Sequence, residues 1–377
     1  MYRTPLSRIT IFIAIFTATM VLTIFGQAKP TAEVDVTKCW AYDLNKESGE
    51  ALASEGIRVF LGLDNGKVET LSFDGKRLWT AELGGDIRSN ILAFESGLFL
   101  VTSTVSQSDA NKPGGGILRG LSKETGITNW ATKLPEAEKY FLGGFNGALI
   151  VVTQSGVIQS VDPKNGAVNW KREIADGFVA APAFDGWAVI VATRQKQIFA
   201  VSLVSGEIIS MRKVPLGVTA LGETAAGEII AGDERGNVTS LVNGTEKPYW
   251  KFKSGGEISA IFPVGDHLLV TSHDNFVYFL FKRNGGVMWK KRLTGRVSHV
   301  GLYMDRFALI TSSEQHGAVL TDLTNGKVAG RMAFGDDESL VYSPVISNGS
   351  IFALTDKAVY AFSINGCPTN REGGPGN

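Results

Sequence analysis

A turn glycine returns about every forty residues along this chain. Gly75, Gly126, Gly166, Gly206, Gly244, Gly285, Gly326 and Gly366 are spaced by 51, 40, 40, 38, 41, 41 and 40 residues. Four of them carry a tryptophan four places later: Gly75/Trp79, Gly126/Trp130, Gly166/Trp170 and Gly285/Trp289. A fixed period near forty means one supersecondary unit copied many times.

One copy, residues 137–174, reads as four strands. Tyr140 to Gly144 is a short first segment, and Ala148 to Thr153 (ALIVVT) is a continuous apolar run, as expected of a strand buried on both faces. After the turn Gln154-Ser155-Gly156, Val157 to Val161 alternates. A second turn, Asp162 to Gly166, leads into Ala167 to Ile174. A four-stranded unit of this size cannot bury both faces alone. Repeated around an axis, each sheet packs on the next, which predicts an all-β, eight-bladed β-propeller of antiparallel blades. Trp40, Trp79, Trp130, Trp170, Trp250 and Trp289 are then expected to wedge between adjacent blades, as large rings do in cores.

The eighth copy lacks its closing strand, because the chain after Gly366 reads CPTNREGGPGN. The missing strand stands at the other end: in KCWAYDL (38–44), Trp40 and Leu44 match Trp170 and Ile174. The N-terminal strand should therefore complete the last blade. Cys367 lies one residue after its turn glycine, and Cys39 is equivalent to three after one. In an uninterrupted blade they would share a turn, within the roughly 4.4–6.8 Å Cα separation a disulfide needs. A Cys39–Cys367 disulfide in place of the missing turn is expected, worth about 5 kcal/mol on chain-entropy grounds for so long a loop.

Arg3 and Arg8 precede an uncharged apolar run, Ile9 to Gly26, followed by the small-x-small pattern Gly26-Gln27-Ala28. Residues 1–28 are expected to be either a cleaved signal peptide or a retained membrane anchor. Either sends the rest of the chain out of the cytoplasm, to the periplasm or cell envelope. An exported compartment permits the disulfide. Residues 29–38 are expected as linker, 39–367 as propeller and 368–377 as a flexible tail. Charge is balanced at 37 basic against 37 acidic residues, which offers no bulk attraction to nucleic acid or to an acidic membrane surface. Membrane contact is expected only through the N-terminal segment, and the ring is expected to be a monomer.

The segments VDPKNGAVNWKREI (161–174) and LSKETGITNWATKL (121–134) resemble the quinoprotein, or PQQ-like, propeller repeat. The resemblance covers about residues 39–366. WD40 repeats fit less well, since Trp79, Trp130, Trp170 and Trp289 are followed by Thr80, Ala131, Lys171 and Lys290 rather than aspartate. Kelch repeats fit the period less well. Within the PQQ-like group, the size and single ring resemble the BamB-type scaffolds of outer-membrane protein assembly. That resemblance implies a non-catalytic envelope scaffold that grips protein partners by its loops and needs no cofactor. One departure stands out: BamB-type scaffolds are lipoproteins, and no cysteine closely follows the apolar run here. The alternatives are a PQQ-dependent dehydrogenase, with calcium beside the cofactor, and a ligand-sensing ectodomain of an anchored protein. The dehydrogenases resembled are longer and place two cysteines next to each other, whereas the two here lie at opposite ends.

No catalytic or metal residue is assigned. His267, His273, His299 and His316 show no metal-ligand spacing and read as loop histidines. Gly114-Gly115-Gly116 is followed by no lysine-serine or lysine-threonine pair, so it is not a phosphate loop; it ends an insertion, Ser106 to Gly116. Sequons stand at Asn237, Asn243 and Asn348.

Strands alternate in direction, so the between-blade loops and the second-to-third-strand turns should share one face. Function on such scaffolds usually lives on loops. The between-blade loops carry Asp86, Arg88, Asp176, Glu257, Arg296, Asp336, Asp337 and Glu338. The turns add Arg194, Lys196, Asp233, Glu234, Arg235 and His273, and the insertion projects beside them. This is the expected partner-binding face.

Overall fold

The computed structural model describes residues 34–103, 114–223, 228–242, 247–314, 317–364 and 366–367. The apolar N-terminal run, Gly244, His316, Asn243 and most of the 106–116 insertion lie outside the described residues. The described residues form eight sheets, each of four antiparallel strands. Blades 1 to 7 span residues 49–82, 92–134, 140–173, 183–213, 218–253, 258–292 and 297–332. Blade 8 joins Thr37–Asp43 to the three strands of residues 345–363. The only helical element among the described residues is one 3-10 turn, Asp64–Gly66.

Blade 3 shows how the sequence dictates a blade. Its strands are Tyr140–Phe145, Ala148–Thr153, Val157–Val161 and Val168–Glu173. The second and third have a neighbouring blade on each face. Every residue from Leu149 to Thr153 and from Val157 to Val161 is buried; the second strand is an apolar run, while the third, expected to alternate, buries Gln159 and Ser160 as well. The fourth strand lies on the rim and alternates between half-buried and exposed, as one solvated face requires.

The core runs through the seams. One cluster joins Ala51, Phe60 and Val68 of blade 1 to Leu98, Leu100 and Leu121 of blade 2. Another joins Ile150, Val152 and Ile158 of blade 3 to Val189, Val191 and Val201 of blade 4. Each such Val, Leu, Ile or Phe side chain contributes about 1.5–3 kcal/mol on burial.

The glycine and tryptophan of one repeat are not partners. Each tryptophan covers the turn glycine of the following blade. Trp40 lies over Gly75, Trp79 over Gly126, Trp130 over Gly166, Trp170 over Gly206, Trp250 over Gly285 and Trp289 over Gly326. A Cβ on any of these glycines would meet the ring at 2.4–2.8 Å, and each has φ between 67° and 83°. Glycine is required twice over, by the left-handed turn and by the ring above it. Five indole N–H groups also donate to a carbonyl of that next turn: Trp40 to Phe73, Trp79 to Lys123, Trp130 to Pro163, Trp250 to Lys282 and Trp289 to Leu323, at 2.7–3.0 Å.

Two seams depart from this rule. Blade 4 has Ser210 where six other blades have tryptophan, and a cavity of about 290 Å³ lies along the seam to blade 5. Blade 7 has Gly330 at that position, and the N-terminal segment fills the space: a Cβ on Gly330 would meet Val36 at 2.9 Å and the Val34 carbonyl at 3.0 Å. The Val34 amide donates to the Ala329 carbonyl at 2.6 Å. Residues 34–36, expected as linker, thus pack on blade 7 before the closing strand begins at Thr37.

Closure follows the register Thr37↔Ser363 through Asp43↔Ala358. Cys39 and Cys367 are joined by a disulfide with a Cα separation of 5.3 Å, across 328 residues of sequence. It stands where the third-to-fourth-strand turn of blade 8 would be.

Candidate interaction face

One backbone hydrogen bond recurs around the ring and fixes the loop face. The residue that opens each second-to-third-strand turn donates to the loop that enters the same blade: Asp64 to Ser48, Ser103 to Asp86, Gln154 to Lys139, Glu234 to Gly217, His273 to Glu257, Ser313 to Arg296 and Asp356 to Ser339. In blade 4 a bridge between Phe178 and Thr193 does the same. Both sets of connections therefore lie on one face, each clamped to a sheet.

This face holds all fourteen charged or titratable residues expected there. Asp86, Arg88, Asp176, Arg194, Lys196, Glu234, Arg235, Arg296, Asp336 and Asp337 are exposed, while Asp233, Glu257, His273 and Glu338 are half-buried. Several pair among themselves. Arg88 bonds Asp86 at 2.9 Å, and His273 lies 3.8 Å from Glu257. Two serve the turns. Asp233 accepts the Arg235 and Asn237 amides at 2.9 Å, and Glu338 accepts the Tyr360 hydroxyl at 2.9 Å and the Thr355 hydroxyl at 2.7 Å. The Tyr360 hydroxyl is held above its ordinary range by burial and by Glu338. Among the fourteen, acids outnumber bases, and Glu136, Glu138, Glu314 and Asp356 add to the excess. A recess of about 440 Å³ opens beside Asp336 and Asp337, with Phe334 and Gly317 in its wall.

Asp274 was not singled out by the sequence. Burial alone would raise its carboxyl, but hydrogen bonds from the Tyr278 hydroxyl and the Gly255 and Phe276 amides outweigh that and hold it below the ordinary 3.8. The Asp-x-x-x-Tyr spacing is the signal that could have found it, since four residues span one turn and the strand after it.

The loop-histidine expectation fails at two positions: His267 opens the second strand of blade 6, half-buried and stacked on Phe279. His299 is not a loop histidine: it lies in the first strand of blade 7, half-buried, and burial lowers its pKa more than a Val341 backbone contact raises it. Asn237 is 7 % exposed and donates to Asp233 at 2.7 Å, so its sequon is closed to modification in the folded chain. Among the described residues, no group of three His, Cys, Asp or Glu side chains is gathered to hold a metal.

The opposite face carries the first-to-second-strand and third-to-fourth-strand turns. A larger recess, about 1100 Å³, opens there beside Tyr249, His267, Phe281 and Arg283. His267 stacks on Phe279 with ring centroids 4.8 Å apart, and Arg283 lies over Phe281 at 5.6 Å.

With this geometry described, comparison with known proteins gives three findings. The family model described as "Outer membrane protein assembly factor BamB" matches residues 32–142, 114–245 and 212–367. No curated protein matches the chain. Among solved structures, BamB from Moraxella catarrhalis is similar with a TM-score of 0.64 and 17% identity, over 87% of this chain and 98% of that one. The computationally designed Ika8 protein is similar with a TM-score of 0.68 and 11% identity, over 88% and 99%. At these identities the two structures support the fold alone.

Proposed function

This chain belongs to the family of the outer membrane protein assembly factor BamB, and from that premise we propose that it is an exported, non-catalytic propeller scaffold of the cell envelope. It holds a protein partner on the face of between-blade loops and second-to-third-strand turns, and it acts in outer-membrane protein assembly. The carrying observation is the clamped array of exposed charges on that face. A rigid ring presents them without the entropy loss of ordering mobile loops on binding. The acidic excess, and the recess beside Asp336 and Asp337, fit a partner that offers lysine or arginine side chains.

Cross-linking from intact envelopes tests this. The triple change Glu234→Lys, Asp336→Lys and Asp337→Lys should abolish capture of the parent's cross-linked partner while melting within a few degrees of the parent. Unchanged capture would overturn the assignment of the face. Titration with pyrroloquinoline quinone and calcium tests the absence of catalysis. Binding at micromolar concentration, with dye reduction by an alcohol or sugar, would overturn it.

A further inference from the structure

The two faces of the ring differ in exposed apolar surface. Among the described residues, six large apolar side chains are more than 60% exposed: Ile57, Ile127, Trp187, Val204, Tyr249 and Met304, at 65–72%. All six sit in first-to-second-strand or third-to-fourth-strand turns, on the face opposite the charged loops. Among the described residues of the charged face, the most exposed large apolar ones, Val179 and Val341, reach only 41% and 38%. Single exposed apolar residues are ordinary on a protein surface; their restriction to one of two faces is not.

Two of the six are unusual in themselves. Trp187 is the one tryptophan of seven that does not wedge a seam. Met304 and Asp305 have φ of 48° and 51°. They are the central pair of the Tyr303–Arg306 turn, within a three-residue connection, and a left-handed pair ordinarily takes Asn-Gly, as at Asn146-Gly147 and Asn348-Gly349. A bulky side chain is held out there at a backbone cost.

The chain also enters the ring from this face. Val34 bonds to Ala329 at the start of the fourth strand of blade 7, and Thr37 pairs with Ser363 at the end of the third strand of blade 8. Only residues 27–33 separate Val34 from the uncharged run Ile9 to Gly26.

We propose that the face bearing these six tips rests on a lipid bilayer. The tips come from blades 1, 2, 4, 5 and 7 and form no single patch. A flat lipid surface meets all of them at once, whereas a protein partner covers one contiguous area. Tryptophan and tyrosine suit the interfacial zone. Arg58, Lys247 and Arg306 stand within two residues of Ile57, Tyr249 and Met304, where long basic side chains reach headgroups as apolar neighbours insert. The charged face then points to the aqueous side.

The test uses the full chain in phosphatidylethanolamine–phosphatidylglycerol vesicles, compared with the triple change Trp187→Ser, Tyr249→Ser and Met304→Ser in the same vesicles. Amide exchange at residues 56–58, 186–187, 204–206 and 304–306 should be at least fivefold slower in the parent. Exchange at 194–196, 273–275 and 336–338 should be equal in the two. Lipids brominated near the headgroup should quench Trp187 fluorescence in the parent, and Trp187→Phe should remove that quenching. Equal exchange at the tips in both proteins would overturn the proposal. Protection that appears only after envelope proteins are added would identify a protein-docking face and overturn it as well.

Discussion

The indole of Trp130 covers Gly166, the turn glycine of the next blade, and not Gly126, four residues before it. Its N–H donates to the Pro163 carbonyl at 2.9 Å. Gly166→Ala places a methyl 2.5 Å from the ring at φ 75°. Gly147→Ala meets nothing within 4 Å at φ 74°. Both lose the left-handed allowance of glycine, about 1 kcal/mol. Only Gly166→Ala also overpacks a seam, for about 1–3 kcal/mol more. Urea unfolding of the two variants should separate them by that margin.

Reduction of the Cys39–Cys367 bond removes a cross-link over 328 residues. The expected loss is about 2–5 kcal/mol, read as a fall in the denaturation midpoint when reductant is added. Cys39→Ser with Cys367→Ser should match the reduced parent and respond to reductant no further.

Val36 fills the place of the tryptophan missing from blade 7. Val36→Ala should cost about 1 kcal/mol. Gly330→Trp restores the ring that other seams carry, and it competes with Val34 and Val36 for the same space. Amide exchange at Val34 should then accelerate, because its bond to Ala329 is displaced.

Stability should fall with acid in two separate steps. Asp274 is held below 3.8, so its contribution is present above that value and is lost as pH falls through its folded pKa. His299 is held below 6.5 by burial, so in the fold it takes up its proton at lower pH than in the unfolded chain. The unfolded chain takes up that proton first, so stability falls as pH drops from about 6.5 toward the folded value. His299→Gln should flatten the upper step and Asp274→Asn the lower one, in unfolding free energies measured from pH 7 to pH 2. Asp274→Asn should also cost about 1–3 kcal/mol at neutral pH, since it weakens the bond to a buried Tyr278 hydroxyl.

The ring was legible in the glycine beat because each of these turns among the described residues needs a left-handed residue, and that need recurs from blade to blade. Closure was legible because Trp40 and Cys39 hold positions that blade 8 lacks. The partner of each glycine was not legible. Gly166 and Trp170 are near in sequence, but seams join residues a whole repeat apart, so local spacing reports the turn and conceals the contact. The role of Val34 and Val36 was hidden for a related reason: Gly330 shows only that a ring is absent, not which distant segment takes its place. The charged face followed from strand direction alone. The apolar tips opposite it did not, because Ile57 or Met304 reads as core until burial is known.

The covalent closure gives the ring a short mechanical path between its ends. A pull on residue 34 first meets the packing of Val34 and Val36 on blade 7 and then reaches Cys39. From there the tension crosses to Cys367 and leaves by the C-terminal tail. The 328 residues between the two cysteines are bypassed, so a tug between the termini is carried by bonds rather than by sheets. With that bond reduced, the same tug peels the Thr37–Asp43 strand from blade 8 and opens the ring at its one non-consecutive strand pairing.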